Sequence, residues 1–125
     1  METINTSHGN SGAEELIGAI TKWHYDRNTI YGGTNIQQFP KLVEEFGELA
    51  GNLARSRDRK DDYGDIMVVM IGMMERDGVS MYECLLTAYE DIKDRKGRME
   101  QGVFVKEADF EVTPNTEFFK VGGTD

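Results

Sequence analysis

The chain has 125 residues, which is enough for one domain with a hydrophobic core but too few for two. Its 23 acidic residues outnumber its 14 Lys and Arg residues and give a net charge of −9. This charge argues against a protein that binds nucleic acid polymers or anionic membranes, because both need a basic surface. The single cysteine, Cys84, excludes an intrachain disulfide and is typical of a reducing compartment.

Residues 1–12 are polar, resemble no secretory signal and are expected to form a flexible leader. The longest apolar run, residues 66–74, is interrupted by Gly72 and is far shorter than the roughly 20 residues that cross a bilayer. We therefore expect a cytoplasmic protein with no membrane partner. Its helical domain is predicted over residues 13–98, and a C-terminal arm over residues 99–125.

Hydrophobic periodicity predicts two helices in the first half of the chain. The first covers residues 12–27 and ends before a flexible segment at residues 31–34. The second covers residues 35–56 and has the strongest apolar pattern, with Pro40 in its first turns, where a missing N–H is tolerated. The stripe residues are Leu16, Ile17, Ile20 and Trp23 in the first helix and Phe39, Leu42, Val43, Phe46, Leu49, Ala50 and Leu53 in the second.

Two further helices are predicted in the second half of the chain. The third begins near residues 58–62, where acidic side chains complement the helix dipole, and ends at Arg76. The fourth begins with Ser80 as its N-cap, has Glu83 three residues later in a capping-box pattern, and ends at Gly97. The chain is therefore predicted to be all-α, with a short irregular or hairpin arm whose turn is expected at residues 113–116.

The third helix is apolar almost all round between Ile66 and Met74. A helix in a small monomeric bundle keeps one polar face, so we expect another subunit to cover this helix on a second side. The predicted assembly is a homodimer or a higher homo-oligomer. The alternatives are a fully buried central helix or a β-strand, because β-branched runs of this length are ambiguous.

Two acidic pairs carry the functional prediction: Glu45 with Glu48, and Asp62 with Asp65. Three-residue spacing places both carboxylates of a pair on one face of a helix. The pairs are symmetric about Arg55, so an antiparallel hairpin of the second and third helices would bring all four carboxylates to one height. Such a group needs a cation, and oxygen-only ligands suit Mg²⁺ or, alternatively, Mn²⁺. This pattern indicates a metal-dependent enzyme that acts on a phosphorylated small molecule.

Neighbouring charged residues extend the candidate site. Glu44 and Asp61 each precede an acidic pair and could be a further ligand, a general base or an outer-shell partner. Lys41, Lys93 and Arg95 are the candidate cations for phosphate oxygens. The alternative for all of these side chains, including the two acidic pairs, is that they are solvated surface charges without a role in a site. The basic residues of the turn between the second and third helices are interpreted as solvated: Arg55, Arg57, Arg59 and Lys60.

The segments KLVEEFGELA, at residues 41–50, and DDYGDIMVVM, at residues 61–70, resemble the MazG-like nucleoside triphosphate pyrophosphohydrolases. The family signature is Glu-x-x-Glu, a spacer of a dozen or more residues, and then Glu-x-x-Asp. Here the spacer has thirteen residues and the second half reads Asp-x-x-Asp, which shortens one ligand by a methylene. The resemblance covers roughly residues 16–110, including the segments GVSM and IKDRKGRMEQGVFVKEADF, and is closest to small single-domain versions often carried by bacteriophages.

The resemblance implies a four-helix bundle that assembles into a dimer or tetramer, and a host-cytoplasmic location if a phage encodes the chain. It also implies Mg²⁺-dependent hydrolysis of a nucleoside triphosphate, often a deoxynucleotide, to the monophosphate and pyrophosphate. The implied metal ligands are Glu45, Glu48, Asp62 and Asp65, with Glu44 and Asp61 as accompanying acids. The implied catalytic residues are Glu44, Glu45 and Glu48, and the candidate substrate-binding residues are Lys41, Lys93, Arg95, Gln38 and Trp23.

Three questions stay open from the sequence. Trp23 could stack on a nucleobase, but it is also the natural core residue of the first helix. Members of the same superfamily hydrolyse dUTP, dCTP or phosphoribosyl-ATP, and residues around Trp23, Asn35 and Gln38 are the candidates for choosing the base. A non-catalytic helical dimer that binds metal through the same acids is the alternative from another functional class.

Overall fold

The computed structural model describes residues 9–110, with side chains from residue 12 onward. Four helices follow one another along the chain: α1 (Gly9–Asp26), α2 (Asn35–Ala54), α3 (Lys60–Arg76) and α4 (Met81–Ile92). An antiparallel sheet of β1 (Gly97–Glu100) and β2 (Val103–Lys106) follows, and a 3₁₀-helix over Glu107–Asp109 comes last. The predicted number and order of the helices are confirmed.

α1 begins at Gly9, within the segment that was expected to be a flexible leader. The rest of that leader, residues 1–8, lies outside the described residues. The predicted start at residue 12 was too late because a formed helix can extend beyond its apolar stripe, adding one hydrogen bond for each residue.

α2 begins where the sequence predicts, and its first turn is capped. The hydroxyl of Thr34 accepts a hydrogen bond from the backbone N–H of Gln37, whose side chain accepts one from the backbone N–H of Thr34. The helix ends two residues before the predicted end because Ser56 adopts the left-handed conformation, with a φ of 53°. The N–H of Arg57 then bonds to the carbonyl of Asn52 at 2.9 Å, which closes the helix as in a Schellman motif.

α2 and α3 form the predicted antiparallel helical hairpin. At the turn end, Asn52 Nδ2 donates to Asp62 Oδ2 at 2.8 Å. At the open end, Asn35 Nδ2 donates to Asp77 Oδ1 at 2.9 Å. Because these bonds pair early residues of one helix with late residues of the other, they fix the direction and the register of the two helices.

His24 joins α1 to the middle of α3. Its Nε2 lies 2.7 Å from the carbonyl oxygen of Val68, and its Nδ1 lies 2.7 Å from Thr29 Oγ1. The ring fits against α3 because Gly72 has no side chain, since a Cβ at this position would lie 2.9 Å from His24 Cε1. α1 is therefore positioned by a buried polar contact as well as by apolar packing.

The core of the three packed helices is small. Among residues 12–110, the buried apolar side chains are Ile30, Leu42 and Ile71. The apolar stripe that predicts α2 is split: Leu42 is 5% exposed, whereas Phe39, Val43 and Phe46 are about half exposed at 53%, 52% and 49%. Within residues 12–110 the stripe is therefore only partly buried, because α3 covers one side of α2.

The chain divides into two compact units, the first ending at Cys84 and the second beginning at Leu85. α4 ends at Ile92 rather than at the predicted Gly97, because Gly97 already belongs to β1. Gln101 and Gly102 connect the two strands with φ values of 51° and 80°, the left-handed pair of a two-residue hairpin turn. A hairpin was one expectation for the arm, but this one lies upstream of the turn expected at residues 113–116, which are outside the described residues.

Candidate metal centre

Three of the four predicted metal ligands lie together on the α2–α3 hairpin. Glu45, Glu48 and Asp65 each offer one carboxylate oxygen, and these oxygens lie within 4.8 Å of one another. Glu45 and Glu48 come from successive turns of α2, and Asp65 comes from the second turn of α3. The hairpin therefore brings together acids that are far apart in the sequence, as the symmetric spacing predicts.

Glu45 occupies the buried side of α2. Buried or half-buried side chains recur along this side at positions 38, 42, 45, 49 and 52, and Glu45 lies at the centre of that stripe. Its side chain is only 7% exposed. Lys41 Nζ lies 3.3 Å from Glu45 Oε1, but Oε2 has no hydrogen-bond partner among residues 12–110. A buried carboxylate oxygen without a partner is costly, so this position favours a cation beside it.

The carboxylates of the group repel one another. The charge of Glu45 is the main cause of the raised pKa of Glu48, and desolvation and a hydrogen bond to Glu45 add to it. Desolvation is the main cause of the raised pKa of Asp65, and the charges of Asp61 and Glu45 add to it. The site therefore disfavours full ionisation when no cation compensates its charge.

Asp62, the fourth predicted ligand, is buried and is bound by an amide. Its Oδ2 accepts a hydrogen bond from Asn52 Nδ2 at 2.8 Å, and it is not one of the three acids whose oxygens group together. Its charge still raises the pKa of Asp65. Through this bond, Asp62 joins α3 to α2 next to the acidic group.

The two accompanying acids differ in their contacts. Glu44 is 67% exposed, and its Oε2 lies 3.7 Å from Lys41 Nζ. Asp61 is exposed in the first turn of α3 and acts on the group through its charge. Both acids remain free to contact a solvent molecule or a ligand at the edge of the site.

The predicted substrate-binding residues belong to both units of the chain. Lys41 lies at the acidic group, and its side chain is 56% exposed. Gln38 is half-buried on the α2 stripe, near Gly33. Lys93 and Arg95 belong to the second unit, where they pair with Glu90 at 2.7 Å and Asp91 at 2.9 Å.

Trp23 is not a core residue. It is 43% exposed, and the guanidinium of Arg27 lies over its ring, 4.7 Å from the ring centroid. The alternative interpretation of Trp23 as the core residue of the first helix is therefore wrong. Its buried neighbour His24 holds the core position that periodicity assigned to the tryptophan.

Sequence reasoning missed a groove along α2. Its volume is about 570 Å³, and the residues that line it include Lys41, Glu44, Glu48, Gly51, Asn52 and Arg55. Asn52 and Arg55 were not named as site residues, and Arg55 was interpreted as solvated. The available signal was their spacing, because Glu48, Asn52 and Arg55 recur every three or four residues and so share one face of the helix.

Comparisons with known proteins give one partial similarity. The chain is 43% identical over 60 residues to a protein of Haemophilus phage HP1 (strain HP1c1) named "Uncharacterized 18.2 kDa protein in rep-hol intergenic region". The aligned segment spans 46% of this chain and 37% of the phage protein. No protein-family model matches the chain, and no solved structure matches it. Within residues 9–110, no helix is both long and apolar enough to cross a membrane. The chain is thus a mostly helical protein that resembles part of a phage protein.

Proposed function

We propose that this protein hydrolyses a (deoxy)nucleoside triphosphate to the monophosphate and pyrophosphate in a reaction that depends on Mg²⁺, with Mn²⁺ as the alternative metal. The observation that carries the proposal is the group formed by Glu45, Glu48 and Asp65, whose carboxylate oxygens lie within 4.8 Å of one another. The resemblance of residues 41–50 and 61–70 to the MazG-like signature supports the same reaction.

The residues of the group fit a hard divalent cation. All three donors are carboxylate oxygens, the ligands that Mg²⁺ prefers in proteins. The unpartnered Oε2 of buried Glu45 supplies a lone pair that no residue in the described part of the chain satisfies. Glu45, Glu48 and Asp65 would hold the ion, with Asp62 held beside them by Asn52.

A divalent cation held there would neutralise the polyphosphate and supply Lewis-acid activation of a water. The protein's own side chains supply the remaining functions. Lys41 lies next to Glu45 and Glu44 and would contact phosphate oxygens. Glu44 is exposed at the edge of the site, where it can accept a proton from the attacking water. The water oxygen forms the new P–O bond as the anhydride bond between the α- and β-phosphates breaks, and pyrophosphate leaves.

The test is a pyrophosphate-release assay on the eight common nucleoside and deoxynucleoside triphosphates, with Mg²⁺ and with EDTA. We expect the monophosphate and pyrophosphate in equal amounts from at least one substrate, and none with EDTA. Orthophosphate with a diphosphate product would overturn the proposed reaction. The same panel, extended with phosphoribosyl-ATP, distinguishes a general pyrophosphohydrolase from the dUTP, dCTP and phosphoribosyl-ATP alternatives.

A non-catalytic metal-binding helical dimer is the second candidate. It shares the acidic group but needs neither Glu44 nor the groove. Turnover on no substrate, together with a Mg²⁺-dependent change in stability or mass, would favour this candidate over the enzyme.

We also propose that the chain forms a homo-oligomer, a dimer or a tetramer. Apolar side chains of α2 lie on its exposed side at spacings of three or four residues as far as Phe46, and Leu53 follows seven residues later: Ile36, Phe39, Val43, Phe46 and Leu53. Tyr63, Met67 and Met70 repeat this spacing on α3 with exposures of 53%, 47% and 37%. The 3.5-residue spacing is that of helices that pack along a common seam, and a second copy would cover both stripes.

A further inference from the structure

The groove beside the acidic group has a floor without side chains. Gly47 and Gly51 lie one turn apart on α2, Gly47 just before Glu48 and Gly51 one turn before Arg55, and a Cβ at Gly47 would meet nothing within 4 Å. The backbone of α2 is therefore open to a ligand at this point. Because glycine weakens a helix interior, two glycines here indicate a requirement for space rather than for stability.

Gly51 also positions the guanidinium of Arg55. Arg55 Nη1 donates to the carbonyl oxygen of Gly51 at 3.0 Å, so the side chain folds back along the helix. A Cβ at Gly51 would lie 2.9 Å from this nitrogen and would displace it. The bond uses one of the five N–H groups of the guanidinium, which leaves four for another acceptor.

Arg55 has no acidic partner of its own. Within the described part of the chain it forms no ion pair, whereas the other basic residue of the groove, Lys41, pairs with Glu44 and Glu45. Asn52 lies between Arg55 and the acidic group and is bound to Asp62. The groove thus runs from Glu44 and Glu48 to Arg55, which lacks a counterion among residues 12–110.

We propose that this groove is the binding site for the terminal phosphates of the substrate and that Arg55 binds them. The inference rests on the proposed function, because the acidic group must hold a cation before an anion can approach Glu48. Glu48 and Arg55 are seven residues apart, a rise of about 10 Å along the helix, which suits an extended polyphosphate chain. The planar guanidinium is the side chain best matched to phosphate oxygens.

Inorganic tripolyphosphate is the probe, because it contains the phosphates without the nucleoside. Its affinity is measured by titration calorimetry for the wild type, Arg55→Gln and the matched control Arg57→Gln, each with Mg²⁺ and with EDTA. Loss of charge-assisted hydrogen bonds predicts at least about a tenfold weaker affinity for Arg55→Gln. We expect Arg57→Gln to bind like the wild type, and binding to disappear with EDTA.

A purely structural role of Arg55, as a cap on the carbonyls of α2, predicts a different result. Arg55→Gln would then lower the melting temperature but leave the affinity for tripolyphosphate unchanged, which would overturn the proposal. Arg55→Lys keeps the positive charge, and its affinity for tripolyphosphate is measured in case Arg55→Gln does not fold. We expect its affinity to lie between those of the wild type and Arg55→Gln, and an affinity equal to that of the wild type overturns the role of the guanidinium.

Kinetics separate this inference from the proposed function. If the wild type hydrolyses a triphosphate and Arg55→Gln has the same kcat/KM, the proposed function stands and the groove inference is wrong. If the wild type binds tripolyphosphate through Arg55 but hydrolyses no triphosphate, the groove site stands and the proposed function is wrong. A raised KM for the triphosphate in Arg55→Gln supports both.

Discussion

Glu45 is a charged residue in a position where the fold requires an apolar one. It lies at the centre of the buried stripe of α2, three residues after Leu42, and its side chain is 7% exposed. Lys41 offsets part of its charge, but Lys41 is itself 56% exposed and its attraction is weakened by water. With Glu48 and Asp65 close by, the metal-free protein carries unbalanced negative charge at this point.

Removing one of these charges is therefore expected to leave the metal-free fold intact or to stabilise it. We predict that Glu48→Gln or Asp65→Asn melts at the same or a higher temperature than the wild type in EDTA. The wild type is expected to gain about 2.7 kcal/mol from Mg²⁺ at a hundred times its dissociation constant. The variants should lose most of this gain, and their turnover should fall by orders of magnitude.

Differential scanning calorimetry with EDTA and with Mg²⁺ measures both effects. Glu14→Gln, which removes an exposed carboxylate from α1, is the control and should keep the full Mg²⁺ shift. Variants that melt lower than the wild type in EDTA, yet keep the Mg²⁺ shift and normal turnover, would show that Glu48 and Asp65 are structural residues.

The same charges predict how stability depends on pH. The pKa values of Glu48 and Asp65 are raised in the folded protein from ordinary values of 4.5 and 3.8. Their contribution to stability is therefore complete below these ordinary values and is lost as the pH rises through the raised ones. In EDTA, the double variant Glu48→Gln/Asp65→Asn should exceed the wild type in melting temperature at pH 7, and the difference should disappear below pH 3.8, the lower of the two ordinary values. A difference that is constant with pH would contradict the electrostatic origin.

The sequence predicts the three grouped acids because helical spacing alone determines which side chains share a face. It cannot predict that Asp62 is held by an amide, since that bond depends on the register of α3 against α2. It also does not locate the helix end that separates Arg55 from Arg57. Arg55 still follows the helical face that contains Glu48, whereas Arg57 comes after Ser56 has turned the chain away.

At the scale of the helices, two glycines of α3 provide a matched test of how α1 packs. An added Cβ at Gly72 would lie 2.9 Å from the ring of His24, whereas at Gly64 it would meet nothing within 4 Å. We predict that overpacking in Gly72→Ala destabilises the protein by about 1–3 kcal/mol. The higher helix propensity of alanine should offset part of this loss. Gly64→Ala should instead stabilise it by about 1 kcal/mol, the propensity gain alone.

Denaturant unfolding in EDTA measures both variants without interference from metal binding near Gly64. The unfolding free energies should change in opposite directions. Equal stabilisation of the two variants would show that His24 does not hold α1 against α3 in solution.

For α2 and α4, the helix starts are better predicted than the helix ends. The starts carry local signals, such as Thr34 with Gln37 and the Ser80 hydroxyl that accepts a hydrogen bond from the N–H of Glu83 at 3.0 Å. The end of α4 depends on a partner further along the chain, because residues 97–100 are extended only by pairing with residues 103–106. Gln101 and Gly102 form the turn of that hairpin, both in the left-handed conformation.

At the scale of the whole molecule, the exposed apolar stripes of α2 and α3 are the main departure from a self-contained bundle. The sequence places one apolar stripe on α2 but cannot say how many neighbours cover it. Within residues 9–110, α3 is the helix that packs on α2, on the side of Leu42. The proposed second copy would be a further neighbour, and it would account for both the sequence pattern and the exposed side chains.

We predict that the wild type has at least twice the 14.1 kDa mass of one chain at micromolar concentration. A charge at the centre of the exposed stripe, as in Val43→Glu, should shift the mass toward the monomer, because burying it in a seam is unfavourable. Gly18→Glu adds the same charge at an exposed position of α1, opposite Leu16 and Trp23, and should leave the mass unchanged. Multi-angle light scattering measures all three, and a wild-type mass of one chain would contradict the proposed oligomer.

The three stripes of α2 leave this helix with little room for sequence drift. One stripe packs on α3 and contains Glu45, a second presents Phe39, Val43 and Phe46, and a third forms the glycine floor of the groove. With the proposed assembly and site, a random substitution in α2 would disturb packing, assembly or the site, whichever face it falls on. In a library of single substitutions selected for function, α2 should tolerate far fewer changes than α1, where a Cβ at Gly18 would meet nothing within 4 Å among the described residues.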